Sequence, residues 1–313
     1  MLLLTAADLR ELLPYPDCVA ALELALARDA VAPPRQHLAA GGGLLLVMPA
    51  FQREPAGLGV KLVGVFEENP ARGLDRIQAL YAYFDPETGR PLALLEVRAL
   101  TAIRTAAVSA LATLYLANPG TDTMAVFGTG VQARAHNEAL RATCAVRRVL
   151  VRGSSEGKSR AFAAEMGAEP ADAAGALEAG IICTCTSSPA PLFDGTLLRP
   201  GTHINAVGNH RPACRELDQA TVRRSRLVVD TRDGAFSEAG DLLLPIGAGA
   251  ISRDHVLADL PELAGSAGGA AIHRSAADIT LFKSVGHSLQ DLAVARVAVS
   301  RALAAGRGAT IEL

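Results

Sequence analysis

Tryptophan is absent from this chain, and aromatic residues make up only 4% of it, although half of its residues are hydrophobic. Its cores must therefore be built from Ala, Leu, Val and Ile, which suits an α/β scaffold and leaves little material for a ring-stacking nucleic-acid surface. An excess of charge of one sign is lacking too. Thirty basic against thirty-two acidic residues give a net charge of −2 with no long basic stripe, which argues against nucleic acid as a partner. No run reaches the roughly 18 apolar residues of a membrane span. The opening leucines meet Asp8, Arg10 and Glu11 before a signal-peptide core could form. A cytoplasmic protein without a membrane partner is expected. The five cysteines (Cys18, Cys144, Cys183, Cys185 and Cys214) are an odd, scattered set, better suited to reduced thiols than to a disulfide framework. Cys183 and Cys185 lack a zinc-type ligand spacing even with His203 or His210 considered, and read as small buried strand residues, so no metal is expected.

At 313 residues the chain exceeds the usual single core, and two domains are expected. Residues 6–30 show helical spacing broken by Pro14 and Pro16. From Arg35 to Val97 short apolar runs (Leu44–Val47, Leu58–Val65, Ile77–Phe84, Leu92–Val97) are separated by Gly- and Pro-rich turns, which predicts an antiparallel sheet. Arg98–Ala117 reads as a long helix. Strands and helices then alternate through Val149–Val151, Lys158–Met166, Ile181–Thr186, Thr202–Val207 and Leu227–Asp230, the pattern of a doubly wound parallel sheet. Thr280–Ala305 again reads as helix, and Gly265–Ala271 as a mobile loop. The expected organisation is a Rossmann-type α/β domain over 118–287. An α+β domain over 1–117 is made discontinuous by the tail 288–313.

The fingerprint of the second domain is Gly128-Thr129-Gly130-Val131-Gln132-Ala133, set between the apolar strand Met124–Phe127 and a further strand at Val149. The first glycine allows a tight turn and the second the approach of a pyrophosphate. The small sixth residue lets the helix pack on the strand, with helix N–H groups facing the anion. A nicotinamide dinucleotide is implied. NAD enzymes of this type place an acid at the end of the second strand to bind the ribose 2′-hydroxyl. Here Arg152, Gly153, Ser154 and Ser155 stand there, backed by Lys158 and Arg160, which favours the 2′-phosphate of NADP(H) and leaves NAD(H) as the alternative.

Several further strings accompany the fingerprint: Val47-Met48-Pro49-Ala50, Gly59-Val60-Lys61-Leu62-Val63, Leu100-Thr101-Ala102-Ile103-Arg104-Thr105, Thr186-Ser187-Ser188, Gly201 to Gly208, Glu238-Ala239-Gly240-Asp241 and Leu281 to Gly286. Their order and spacing resemble the ornithine cyclodeaminase and mu-crystallin family over nearly the whole chain. The resemblance implies a homodimer with a substrate-binding and dimerisation domain and a Rossmann domain. It also implies that Lys61 and Arg104 bind a substrate carboxylate, with Arg35 assisting and Met48 beside them. Chemistry agrees, since a guanidinium fork and an ammonium suit a carboxylate, and a lysine in an apolar strand is costly without an anion. An internal salt bridge of Lys61 with Glu67 or Glu96 is the competing reading. Asp241 aligns with the family's catalytic aspartate and, with Lys61, is the expected catalytic group; alternatively it caps the segment that follows. Thr186, Ser187 and Ser188 resemble the loop beneath the nicotinamide, and Val207 and Gly208 the next strand end.

The family contains both ketimine reductases and cyclodeaminases. A cyclodeaminase must orient a distal ammonium, for which the resemblance implies that the cyclodeaminases proper carry an acid just before the Met-Pro turn. Leu44, Leu45, Leu46 and Val47 fill that stretch here. A reductase of Δ1-pyrroline-2-carboxylate or Δ1-piperideine-2-carboxylate is therefore favoured over an ornithine cyclodeaminase releasing proline and ammonia. A non-catalytic NADP-binding protein like mu-crystallin is the reading from another class. His287, where many relatives have a small or apolar residue, could reach substrate or serve structure.

Overall fold

The computed structural model describes residues 1–266, 272 and 274–312, so the expected loop at Gly265–Ala271 lies outside the described residues from 267 onward. Two compact units divide the chain: residues 1–104 with 287–313, and 105–286. The boundary expected near 117 falls instead inside a helix, after Arg104.

The first unit opens with β1 (Leu2–Leu4), α1 (Ala6–Leu12), α2 (Tyr15–Leu26), β2 (Ala30–Val31), β3 (Gln36–Ala40), β4 (Gly43–Gln52), β5 (Gly57–Val65), β6 (Ile77–Phe84) and β7 (Pro91–Glu96). β4 to β7 form an antiparallel meander. The turn between β6 and β7 is fixed locally, because Asp85 Oδ1 accepts the N–H groups of Glu87 and Thr88 and Gly89 takes φ +71°. The sheet is not wholly antiparallel as expected: β1 pairs parallel to β7. Three leucines before a capping box at Thr5 make a strand too short to be told by period from the helix that follows.

The helix α3 (Val97–Leu116) starts in the first unit and ends in the second. It is long and apolar enough to cross a membrane, but 83% of its most apolar window is buried, as in a core helix. The second unit continues with β8 (Thr123–Phe127), α4 (Val131–Thr143), β9 (Arg148–Arg152), α5 (Glu156–Met166), β10 (Glu169–Pro170), α6 (Ala173–Ala176), β11 (Ile181–Thr184) and β12 (His203–Ala206). After these come α7 (Gln219–Arg224), β13 (Ser225–Val229), α8 (Arg232–Glu238), α9 (Gly240–Gly247), β14 (Val256–Asp259), α10 (Leu260–Gly265) and β15 (Ile279–Lys283). Their eight strands are all parallel, in the order β10-β9-β8-β11-β12-β15-β13-β14. The chain winds outward in both directions from β8, so the carboxyl ends of β8 and β11 form the switch point at which open α/β sheets hold ligands.

The tail corrects one expectation. Thr280–Ala305 is not one helix: Ile279–Lys283 is a fully buried strand between β12 and β13, and α11 (Ser288–Ala305) begins only after Gly286 at φ +86°. Five residues that mix apolar and polar types are too few to separate a buried strand from a helix by period. α11 and β16 (Ala309–Thr310) belong to the first unit, where α11 packs on α2 and on β4 and β5.

Candidate active site

Pairing register places Met48, Lys61 and Tyr81 on one rung across β4, β5 and β6, with their side chains on the face that α11 covers. All three are buried, Lys61 being 4% exposed. Lys61 pairs neither with Glu67, which bonds Arg76, nor with Glu96, which caps the start of α3 through the N–H groups of Arg98 and Ala99. Its partner is Asp291 in the first turn of α11: Lys61 Nζ donates to Oδ2 at 2.7 Å, and Arg104 Nε donates to Oδ1 at 3.0 Å. Arg104 Nη1 donates to Gln290 Oε1 at 2.7 Å. Two expected carboxylate binders thus meet on one internal carboxylate, and two cations against one anion leave a net positive charge. The half-buried Arg35 lies near enough to act electrostatically on both Lys61 and Asp291.

Burial pushes the Lys61 ammonium down to about 8, with Asp291 opposing and Arg104 adding to the shift. Burial alone would raise the Asp291 carboxyl, but the Lys61 and Arg104 cations hold it below its ordinary value. Such a lysine is protonated at neutral pH yet gives up its proton far more readily than an exposed one. His287, at the N-cap of α11, has its Nε2 3.2 Å from the Ala32 carbonyl and donates its backbone N–H to Gln290 Oε1, which is a structural role.

In the second unit Gly128 ends β8 at φ +113°, a conformation that L side chains rarely adopt. A Cβ there would lie 2.5 Å from the Cys185 carbonyl oxygen, so the turn can form only around glycine. Gly130 is the N-cap of α4 and provides no side-chain cap, its missing Cβ faces open space, and no acid occupies the first turn. The first N–H groups of α4, at Val131 and Gln132, are thereby available to an anion, while Thr129 fixes the turn by accepting from Arg134 Nη1 at 2.6 Å. This geometry fits a dinucleotide pyrophosphate. At the end of β9, Arg152 and Ser154 are exposed, and Lys158 Nζ donates to Ser154 Oγ at 3.2 Å. Glu156, the nearest acid, is tied to Arg160.

The loops after β11 and β12 are joined by a residue that sequence reasoning missed. Glu216 is fully buried and accepts from Thr186 N and Thr186 Oγ1, both at 2.7 Å, on one oxygen. Its other oxygen accepts from Thr184 Oγ1 at 3.0 Å and Gly208 N at 2.8 Å. Burial raises the Glu216 carboxyl, with Lys283 opposing. Gly208 must be glycine because a Cβ would fall 2.2 Å from the Thr186 carbonyl oxygen. Val207 N bonds the Thr184 carbonyl, and Ser188 Oγ donates to the Ala190 carbonyl. Ser187 lies exposed between Thr186 and Ser188 on this loop.

Asp241, expected as a proton donor, belongs to this same buried network. Its Oδ1 accepts from Glu216 N at 2.8 Å and Leu217 N at 2.9 Å, and its Oδ2 is paired with Lys283 Nζ at 2.8 Å. Lys283 also donates to the Asn209 carbonyl at 2.6 Å. With Oδ1 accepting two backbone N–H groups, Oδ2 paired with Lys283 and no exposed surface, this carboxylate ties residues 216 and 217 to Lys283. Nor is it the cap of α9, because its side chain crosses to residues 216 and 217. An apolar neighbourhood in sequence marks burial but not the partner that burial supplies. The signal that could have found two of these groups is a lone charge in an apolar stretch: Asp291, the one acid within Ser288–Ala305, and Lys283, the partner of Asp241, within Ile279–Lys283.

Comparison with known proteins places the chain in a family. The chain is 36% identical to a Bacillus cereus Δ1-pyrroline-2-carboxylate reductase, with 100% of each chain covered. The Thermococcus litoralis Δ1-pyrroline-2-carboxylate reductase, solved in complex with NADH and L-proline, superposes with a TM-score of 0.92 at 34% identity, covering 99% of this chain and 100% of that one. An archaeal alanine dehydrogenase dimer with bound NAD superposes at 0.91 and 30% identity, covering 100% of this chain and 99% of that one. The family profile described as ornithine cyclodeaminase/mu-crystallin matches residues 1–306, and the chain belongs to that family.

Proposed function

We propose that the protein is an NAD(P)H-dependent reductase of a small cyclic α-imino acid, with Δ1-pyrroline-2-carboxylate as the leading substrate. The observation that carries this reading is the buried Lys61–Arg104–Asp291 group, whose net positive charge calls for an anion. When bound to the turn at Gly128–Gln132, the nicotinamide cofactor supplies a hydride. Arg104 and Lys61 hold the substrate carboxylate, and Lys61 provides the proton for the imine nitrogen, so that C=N becomes CH–NH with one hydride and one proton consumed. On the Met48 face of β4 the preceding positions are Leu46 and Leu44, which offer nothing to a distal ammonium. This favours reduction over ornithine cyclisation. The test is NADPH absorbance on addition of Δ1-pyrroline-2-carboxylate, run beside NAD with L-ornithine. Consumption of NADPH with no ammonia from ornithine is expected; ammonia release with catalytic NAD would overturn the reading.

The basic group at Arg152, Ser154 and Lys158 supports NADP(H) as the preferred form. Arg152→Ala should raise KM for NADPH by roughly tenfold, about 1.4 kcal/mol, and leave KM for NADH nearly unchanged. Equal effects on the two would remove the preference.

We infer also that the protein is a homodimer. The sheet face opposite Lys61 carries the rungs Val47–Leu62–Leu80 and Pro49–Val60–Ala82, apolar throughout, with Leu80 41% exposed and the neighbouring Leu38 59% exposed. A contiguous apolar face of this kind is characteristic of an interface. Val60→Asp should convert a dimer to a monomer in light scattering at micromolar concentration, since a charge buried at an apolar interface is costly. A variant that remains dimeric would place the contact elsewhere.

A further inference from the structure

We infer that Gln290 is a substrate-binding residue, donating from its side-chain nitrogen to a carboxylate oxygen of the imino acid. The inference rests on the reductase reading above. An amide side chain has two nearly identical ends, and only its partners decide which is which. Here they decide it: Gln290 Oε1 receives two donors, Arg104 Nη1 at 2.7 Å and the His287 N–H at 3.3 Å, so the oxygen is fixed on that side. Nε2 must then point the other way. It is fully buried and has no hydrogen-bond partner among the described residues.

A buried amide nitrogen left without an acceptor is destabilising, and native proteins rarely keep one without a use for it. The neighbours of this nitrogen restrict that use. Gln290 precedes Asp291 at the start of α11 and is bonded to Arg104, so the orphaned donor belongs to a buried cluster that carries net positive charge. Asp291 accepts from Lys61 on one oxygen and from Arg104 on the other, and neither of its oxygens accepts from Nε2. Of the Arg104 nitrogens, Nε and Nη1 are committed inside the protein, leaving Nη2 to meet a ligand. A carboxylate is the acceptor that satisfies Nη2, the remaining Lys61 hydrogens and the Gln290 amide together. Gln290 therefore has two separable roles: its oxygen orients Arg104, and its nitrogen reads the substrate.

Gln290→Glu keeps an acceptor for Arg104 and the His287 N–H, removes the donor and adds a negative charge that also repels the carboxylate. Gln290→Met removes both without adding charge. Each should raise KM for Δ1-pyrroline-2-carboxylate by about tenfold or more while NADPH binding, followed by nucleotide fluorescence, stays at the wild-type value. A crystal complex with the non-reacting analogue pyrrole-2-carboxylate should place a carboxylate oxygen within about 3.2 Å of Nε2. Unchanged KM in both variants, or an analogue held by Lys61 and Arg104 but out of reach of Nε2, would overturn the inference and leave the reductase reading intact. If Lys61→Met also binds the analogue like the wild type, the functional reading falls and the inference with it.

Discussion

Lys61→Met is expected to lower kcat/KM for Δ1-pyrroline-2-carboxylate by roughly a thousandfold, about 4 kcal/mol at the transition state. The substitution removes the ammonium that holds the carboxylate and the proton intended for the imine nitrogen. It also leaves Asp291, fully buried, with Arg104 as its sole cationic hydrogen-bond partner. Breaking a buried pair from one side costs about 3–5 kcal/mol of stability, so a lower melting temperature should accompany the loss of activity. The pH dependence has a definite sign. A lysine is charged below its pKa, and Lys61 is pushed down to about 8. The wild-type kcat/KM should therefore be level at neutral pH and fall as pH rises through about 8. Asp291→Asn removes the charge that opposes the shift, so the fall should move to lower pH. A wild-type profile flat to pH 10, where an ordinary lysine begins to deprotonate, would show that Lys61 is not the proton donor.

Glu216→Ala should produce the second large effect, in the other unit. Four hydrogen bonds end on this carboxylate, and two of their donors are the backbone N–H groups of Thr186 and Gly208. Without an acceptor each buried donor costs about 1–3 kcal/mol, so the variant should lose roughly 3–5 kcal/mol and melt roughly 10 °C lower. The loops after β11 and β12 would lose their common anchor, and KM for NADPH should rise at least about tenfold. Glu216→Gln is not a mild change here. Both oxygens accept, and an amide would turn N–H donors toward either Thr186 N or Gly208 N. It should show most of the alanine phenotype in cofactor titration and calorimetry. A Glu216→Ala protein with wild-type nucleotide affinity would mean that these loops do not form part of the cofactor site.

Sequence patterns that complete themselves within a few residues were legible. The β4–β7 meander follows from alternating apolar runs and the Asp85–Gly89 turn. The Gly128–Gln132 turn follows from a strand, two glycines and a helix in register, and the structure adds the reason in the Cys185 carbonyl. Where the local pattern was silent, the reading failed. β15 reads with the helix that follows because Ile279–Lys283 is only five residues long and its neighbours β12 and β13 are remote in sequence. Family resemblance and apolar neighbours mark Asp241 in the sequence, and neither shows the partners the fold supplies, Lys283 and the backbone at 216 and 217.

The sequence by itself determined the family, the two kinds of sheet and the glycine turn for a dinucleotide, and it singled out Lys61 and Arg104 as residues that call for an anion. Each of these depends on residue type and short spacing, which a linear chain displays directly. Only the tertiary structure decided what those residues are bonded to. Asp291 stands 230 positions from Lys61 and 187 from Arg104, and a buried charge accepts whichever partner the fold delivers. The same holds for Glu216 under the cofactor loops and for the direction of the Gln290 amide. Side chains of this kind are set by long-range packing, where the cost of an unpaired polar group in a dry interior selects one arrangement that no local pattern records.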